Sequence, residues 1–420
     1  ETLAADRPLA FLDHHLKQGN SLVGSDVTAV LSNGAESDDG QLTLQQSFAR
    51  VRERTLDHVM DLMRELLEVD NETLDDIKSM EELYDEIRSD ALYQRLFELA
   101  NVHTAEEFGV DVPENAYEEM AGSIENPDDW AELRKKAWFR EAQRKARAES
   151  FFHWELEFPG VFFDADGEKR EDAGFDAVIG NPPYVRQEQL KSNKPYFESR
   201  YSSYHGTADL YAYFIERGVN LLREFGQFGY IISNKFTRAD YGEAVRDFLV
   251  STVSLRRIID FGDLPVFSDA SAYPMIVVAQ KSDVMSQEPL VAQVESLDFD
   301  NIESLIDREG YYTTDEGLKS SGWSLAPREI TDVLEKCNQG GIPLHEYSDD
   351  EMYYGIKTGL NEAFFIEKEL RDKIVSQDNF GEELVNPLTE VKKVKSCTYY
   401  TFYFISGIII HVTSDMRISI

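Results

Sequence analysis

The chain has 420 residues, enough for about two or three domains. Its 42% hydrophobic and 12% aromatic content excludes global disorder. With 79 acidic against 42 basic residues the formal charge is −37, the opposite of the basic profile of a DNA-binding surface. Either the partner is not nucleic acid, or the whole proteome of the source is acidic, as in a salt-loving organism such as a haloarchaeon, where self-repulsion is screened at molar salt; acid spread along most of the chain favours the second and leaves the function open. The two cysteines, Cys337 and Cys397, fit neither a disulfide framework nor a zinc spacing and point to a cytoplasmic protein. There is no signal peptide, and a start at Glu1 rather than Met reads as a fragment.

In chain order, residues 1–31 read as a short start, a turn and a strand, closing in HHLKQGNSLVGSD. The polar SNGAESDDG of residues 32–40 is a loop. Residues 41–150 are expected to be almost wholly helical. Phe48, Val51, Leu56, Val59, Leu62, Met63, Leu66 and Leu67 recur there at three-and-four spacing, with charge opposite. Residues 130–162 read as a further helix whose Arg134, Lys135, Lys136, Arg140, Arg144, Lys145 and Arg147 form a basic stripe. The stripe is either a solvated face of i,i+4 pairs or a phosphate contact.

From Phe175 the texture becomes α/β. FDAVIG is a short buried strand, TADLYAYFIERGVNLLREF a helix, GQFGYIISNKF a glycine turn and strand, and YGEAVRDFLVST a helix. LRRIIDFGD is a strand, and after a loop MIVVAQKS returns antiparallel. The alternation implies a parallel sheet with an antiparallel edge. Residues 286–325 read as a polar connector and 326–420 as a new, partial domain. The tail SCTYYTFYFISGIIIHVT carries no charge; its Ser, Thr and Tyr favour buried strands, or a tail read in a wrong frame, over a membrane span. This gives a core in residues 1–31 and 151–285, with a helical insertion at 32–150 between them.

FDAVIG stops dead at Asn181-Pro182-Pro183-Tyr184. Neither proline can donate to a ladder, so the unit is a rigid corner. Ligands of open parallel sheets sit beyond the carboxyl ends of the strands, where this corner stands. Asn181 brings a side-chain carbonyl, Pro182 a backbone carbonyl, and Tyr184 a flat face. Two adjacent acceptors suit a planar amine with two protons: adenine, cytosine or a glutamine amide. Accepting both N–H groups lets the nitrogen pyramidalise and localises its lone pair, so it can attack an electrophilic methyl such as that of S-adenosylmethionine. Catalysis would then be positioning plus electrostatics, without a covalent enzyme intermediate.

Asn-Pro-Pro-Tyr after a hydrophobic strand resembles the catalytic motif of N6-adenine DNA methyltransferases, in particular those of type IIG restriction–modification and phage-defence systems. LKQGNSLVG, FFHWELEFPGVF, ADLYAYFIERGVNLL, GYIISNKF, VFSDASAYPMIVVAQK and GIKTGLNEAFFI match that family in order over nearly all of residues 5–390. The resemblance implies a Rossmann-like methyltransferase sheet with a large helical insertion and a partial target-recognition domain. It also implies double-stranded DNA with a flipped adenine as substrate, without a metal or a membrane. Asn181 and Pro182 would hold the adenine N6, with Pro183 completing the motif; Tyr184 and Phe267 would cover the two base faces. Asn20 would approach the cofactor's adenine, and Asp209 would lie near the cofactor or cap the following helix. The family's Gly-x-Gly cofactor turn does not occur before the catalytic strand. The cofactor site is therefore expected to need an upstream segment or a separate chain.

Other readings stand beside this one. The chain is a decayed DNA-binding remnant, or a protein-glutamine methyltransferase using the same tetrapeptide. Tyr184 and Phe267 can be plain core aromatics, and His153 and Trp154 read as packing. His14-His15 has no partner cluster for a metal, and Lys357 and Asn361 either approach DNA or serve a turn.

Overall fold

The computed structural model describes residues 14–26, 39–69, 73–190, 193–267, 273–282 and 288–340, with the strands Phe365–Ile366, Val385–Glu390 and Tyr400–Ile405. The chain divides into two compact units, Glu1–Gln339 and Gly340–Ile420.

The first unit opens with helices. These are α1 (Asp39–Glu68), α2 (Leu74–Ser89), α3 (Ala91–Glu107), α4 (Ala116–Ser123), α5 (Pro127–Leu133) and α6 (Ala137–Glu149). Three of them, α2, α3 and α5, start where a side chain satisfies free N–H groups. Thr73 and Asp76 form a reciprocal capping box on α2, and Asn126 caps α5 ahead of Pro127 at its first turn. Leu56, Val59, Leu62 and Leu66 of α1 are buried against Leu96, Leu99 and Trp130, as the spacing requires, whereas Leu67 is 62% exposed. The long helix expected over residues 130–162 is broken. Ser150 turns left-handed at φ 54° and ends α6, and two single turns, α7 (Trp154–Glu157) and α8 (Pro159–Phe162), follow. The extended link between them lies against residues 19–24. Phe152 N donates to Val23 O at 2.8 Å and Asn20 N to Ser150 O at 2.7 Å. A Cβ on Gly24 would sit 2.0 Å from Phe152 O, so only glycine permits this approach.

Among the described residues 14–26, the strand expected at the end of residues 1–31 is a single bridging pair, Asn20 with Phe151. The reason is local. Asn20 Oδ1 accepts Leu22 N at 3.3 Å and Asn20 O accepts Val23 N at 2.9 Å, a turn that takes the chain out of the ladder.

The six-stranded sheet has the order β1–β2–β4–β3–β5–β6. Its strands are β1 (Phe175–Gly180), β2 (Leu222–Ser233), β3 (Val253–Asp260), β4 (Pro274–Lys281), β5 (Leu290–Gln293) and β6 (Tyr311–Tyr312). The pairs β1–β2 and β3–β5 are parallel; β4 is antiparallel to both its neighbours. Three helices, α9 (Lys194–Arg200), α10 (Tyr211–Asn220) and α11 (Glu243–Thr252), share a core with the sheet. That core includes Phe228, Tyr230 and Ile232 from β2 and Met275, Val277 and Ala279 from β4. The α/β architecture with a large helical insertion is therefore as expected.

Four details differ from the sequence reading. The antiparallel strand β4 is inside the sheet, not at its edge. Ile276 and Val278 on its second face are half-buried as well, and a strand apolar on both faces stays away from an open edge. Residues 286–325 are not merely a connector, since β5 and β6 extend the sheet and α12 (Ile302–Glu309) packs Leu305 and Ile306 on Ile259 and Ala292. Strand β1 is not buried. It pairs on one side only among the described residues, and Ile179 is 84% exposed. Helix α10 also ends before residues 221–225, and β2 begins at Leu222, passing a bulge where Phe225 has φ 63°.

A hairpin, β7 (Leu318–Lys319) with β8 (Gly322–Trp323), and helix α13 (Arg328–Gly340) complete the first unit. In the second unit β9 (Phe365–Ile366), β10 (Val385–Glu390) and β11 (Tyr400–Ile405) form an antiparallel sheet of order β10–β11–β9. Part of the uncharged tail is thus strand. No helix among the described residues is long and apolar enough to cross a membrane. Lys357, Asn361 and Cys397 lie outside the described residues.

Candidate active site

The carboxyl ends of β1, β2 and β3 bring three loops to one end of the sheet. Register fixes their relation: Gly180 stands opposite Tyr230, three residues before the end of β2, and Ser233 opposite Pro274. The Tyr230 ring packs on Gly180, where a Cβ would meet Cε1 at 2.8 Å. The corner that follows, Asn181 to Tyr184, has Asn181 and Pro183 exposed and Pro182 buried. No donor among the described residues takes the Asn181 carboxamide oxygen or the Pro182 carbonyl. Two acceptors therefore stand unengaged at the end of a rigid strand.

Tyr184 and Phe267 meet although 83 positions separate them in sequence (267 − 184). Their ring centroids are 6.1 Å apart with planes inclined at 61°. A flat ring held between two others needs about 7 Å, twice the carbon contact distance of about 3.5 Å. The pair is thus closed on itself edge-to-face and must part slightly and turn parallel to accept a base. The Tyr184 hydroxyl is buried without a hydrogen-bond partner among the described residues, and burial pushes its pKa above the ordinary phenol value.

Asp209 neither starts nor caps α10, which begins at Tyr211 with no side-chain cap. Its Oδ1 accepts the backbone N–H of Gln187 at 3.1 Å, and Leu210 N donates to Val185 O at 3.0 Å. Both bonds clip the exit of the Asn-Pro-Pro-Tyr corner to the approach of α10. Nothing in the local sequence announces a clip that spans 22 residues.

Asn20 lines a cleft of about 740 Å³ together with Gln18, Asn101, Arg147, Phe151 and His153. His153 is buried but not mere packing. Its Nδ1 accepts Ser25 N at 3.1 Å, which leaves Nε2–H to donate to Asn101 Oδ1 at 2.9 Å. Burial lowers its pKa to about 3, so the ring is neutral. The basic stripe is largely spent internally: Arg134 pairs with Glu98, Lys135 with Glu132, Lys136 with Glu119, Arg144 with Glu141 and Lys145 with Glu149. Among the described residues no group of three or more His, Cys, Asp or Glu side chains could hold a metal ion.

S-Adenosylmethionine would require partners for an adenine amine, a ribose diol and an amino acid head group. The described residues meet little of this. Asn20 offers a carboxamide whose oxygen already accepts Leu22 N, Asp209 is tied to Gln187, and no glycine turn borders the open edge of β1. The residues present do not by themselves fit the whole cofactor.

A second cleft, of about 670 Å³, opens at the ends of β2 and β3. Sequence pattern does not select its residues. Asn234 Nδ2 donates to Asp260 Oδ1 at 2.8 Å across it, and the only hint is that both follow or close an apolar strand.

Residues 68–267 match the Eco57I restriction-modification methylase family. The matched range runs from the end of α1 through the Asn-Pro-Pro-Tyr corner to Phe267. The Escherichia coli type II restriction enzyme and methyltransferase RM.Eco57I is 27% identical over 253 residues, 54% of this chain and 24% of that protein. The type II methyltransferase M.BstVI of Geobacillus stearothermophilus is 30% identical over 243 residues, 53% of this chain and 41% of that protein. The chain thus spans well under half the length of either relative. Among solved structures, the type IIL restriction-modification enzyme MmeI in complex with DNA gives a TM-score of 0.36 at 14% identity, over 55% of this chain and 29% of that one. The type IIG restriction endonuclease BpuSI gives 0.30 at 15%, over 88% and 54%. At these scores the solved structures add nothing to what the sheet order shows.

Proposed function

We propose that this chain carries the catalytic corner of a site-specific DNA methyltransferase that methylates adenine N6 in double-stranded DNA. One observation carries the reading: two unengaged acceptors, Asn181 and Pro182, stand beside two aromatic rings, Tyr184 and Phe267, at the carboxyl end of a sheet strand. The similarity to restriction-modification methylases supports it. The adenine is flipped out of the duplex, at a cost of a few kcal/mol that stacking on Tyr184 and Phe267 offsets. Asn181 and Pro182 accept both protons of the exocyclic amine and hold its lone pair out of the ring. Asp209 keeps this corner in place through Gln187. The nitrogen sheds its proton only after it has become quaternary and strongly acidic, so no strong base is assigned.

S-Adenosylmethionine is the methyl donor in this reading, and Asn20 is the described residue offered to its adenine. The remaining cofactor contacts come from outside the described residues, from another segment of the protein or a separate chain. The unpaired edge of β1 and the exposed Ile179 are where such a segment fits.

The test is product analysis. The full-length protein is incubated with labelled S-adenosylmethionine and genomic DNA in molar KCl, and the DNA is digested to nucleosides. N6-methyl-2′-deoxyadenosine is the expected product, lost in Asn181→Ala while DNA binding persists. Methylcytosine, label in protein glutamine, or no transfer by the wild type would each overturn the assignment. If Asn181→Ala loses binding and transfer together, the role given to Asn181 fails.

A further inference from the structure

The second cleft presents unpaired cations in a chain that is otherwise strongly acidic. Its floor is the turn after β2, residues 234–239, which adjoins the Asn181 corner because β1 and β2 are parallel neighbours. The turn is held from beneath. The guanidinium of Arg246, a fully buried residue of α11, donates to the carbonyls of Phe236 and Ala239 and, at 2.6 Å, to Ser320 O. A Cβ at Gly242 would stand 2.0 Å from Phe236 O, so the helix start is pressed against the turn. From this fixed turn Lys235 and Arg238 project, both exposed. No carboxylate among the described residues lies within ion-pair distance of either, although the chain carries 79 acidic residues and most of the basic stripe is paired. The Lys235 ammonium stands 5.7 Å from the centroid of the Tyr273 ring instead. The cleft has two acids: half-buried Asp260 is occupied, its Oδ1 accepting from Asn234 Nδ2 and from Gly262 N at 3.0 Å, and exposed Asp263 lies beyond ion-pair distance of both cations. Trp323, 3% exposed, lies beneath the same cleft, and its indole N–H has no partner among the described residues.

Unpaired cations on a fixed turn beside the exposed face of Tyr273 fit a phosphate with its sugar and base. We propose that Lys235 and Arg238 clamp the phosphates of the DNA strand that carries the target base, with the adjoining nucleotide resting against Tyr273. The inference rests on the DNA-methylating reading above and adds to it the contact that fixes the strand. A local clamp is also what the charge requires, since a surface of net charge −37 gives no general attraction to DNA.

The experiment measures affinity against KCl concentration, using full-length protein and a duplex bearing the sequence that the wild type methylates. Each lost phosphate contact lowers the slope of log K against log[salt] by about 0.9. Lys235→Ala and Arg238→Ala should each lower it by about that amount, the double variant by about twice that, and Lys235→Arg should restore it. The preferred sequence should not change. Variants that fold, by circular dichroism, and bind with the wild-type slope would overturn the clamp while leaving the methylation reading intact. A wild type that neither methylates nor binds DNA would overturn both.

Discussion

The Tyr184 hydroxyl separates a stacking role from a bonding one. It is buried, has no partner among the described residues, and sits on the ring that faces Phe267. A buried, unsatisfied hydroxyl costs about 1–3 kcal/mol. Tyr184→Phe removes it and keeps the ring, so the free protein should gain stability, by about 1 kcal/mol or more. In a unit of 339 residues that is a rise of about 1–2 °C in thermal midpoint. A stacked base uses only the ring face, so kcat/KM for methyl transfer should stay near the wild-type value. Tyr184→Ala should instead lose the stacking energy of about 1–3 kcal/mol, or about 5- to 150-fold in kcat/KM. Thermal melts in molar KCl and single-turnover methylation of one duplex read the two effects separately. A Tyr184→Phe protein that melts lower, or that is as slow as Tyr184→Ala, would show that the hydroxyl has a partner and that stacking is not its main task.

The remaining expectations follow from individual contacts. If Asp209 acts only by clipping Gln187, Asp209→Asn keeps an acceptor and most activity, while Asp209→Ala frees the corner and costs up to about 100-fold in kcat/KM; equal losses in both would point to a role for its charge. His153 binds a proton in the unfolded chain near pH 6.5 but in the folded protein only near pH 3. Between those values the unfolded state holds more protons, so stability falls as pH drops below 6.5, by about 2 kcal/mol at pH 5. Denaturation at pH 7 and pH 5 measures this, and a His153→Gln protein with the same pH slope as wild type would contradict it. With a net charge of −37, folding should need salt, because the screening length shrinks from about 10 Å at 0.1 M to about 3 Å at 1 M. A native circular dichroism spectrum in dilute buffer would refute that.

What the sequence by itself determined was everything carried by period and by proline. Spacing placed the helical insertion and the buried face of α1, and the double proline marked the end of β1 and the corner where chemistry is expected. Apolar runs marked β2, β3 and β4 as strands. Tertiary structure decided the rest, because those facts depend on partners far away in the chain. The two apolar faces of β4 argue against an open edge, but which strands flank it could not be read from its own residues. β1 looked buried by composition, yet its exposure depends on which edge is paired. Tyr184 and Phe267, Asp209 and Gln187, and Asn234 and Asp260 are joined only by folding. A hydrogen bond or a ring contact leaves no period in sequence, so its existence is settled by the path of the chain and not by the letters along it.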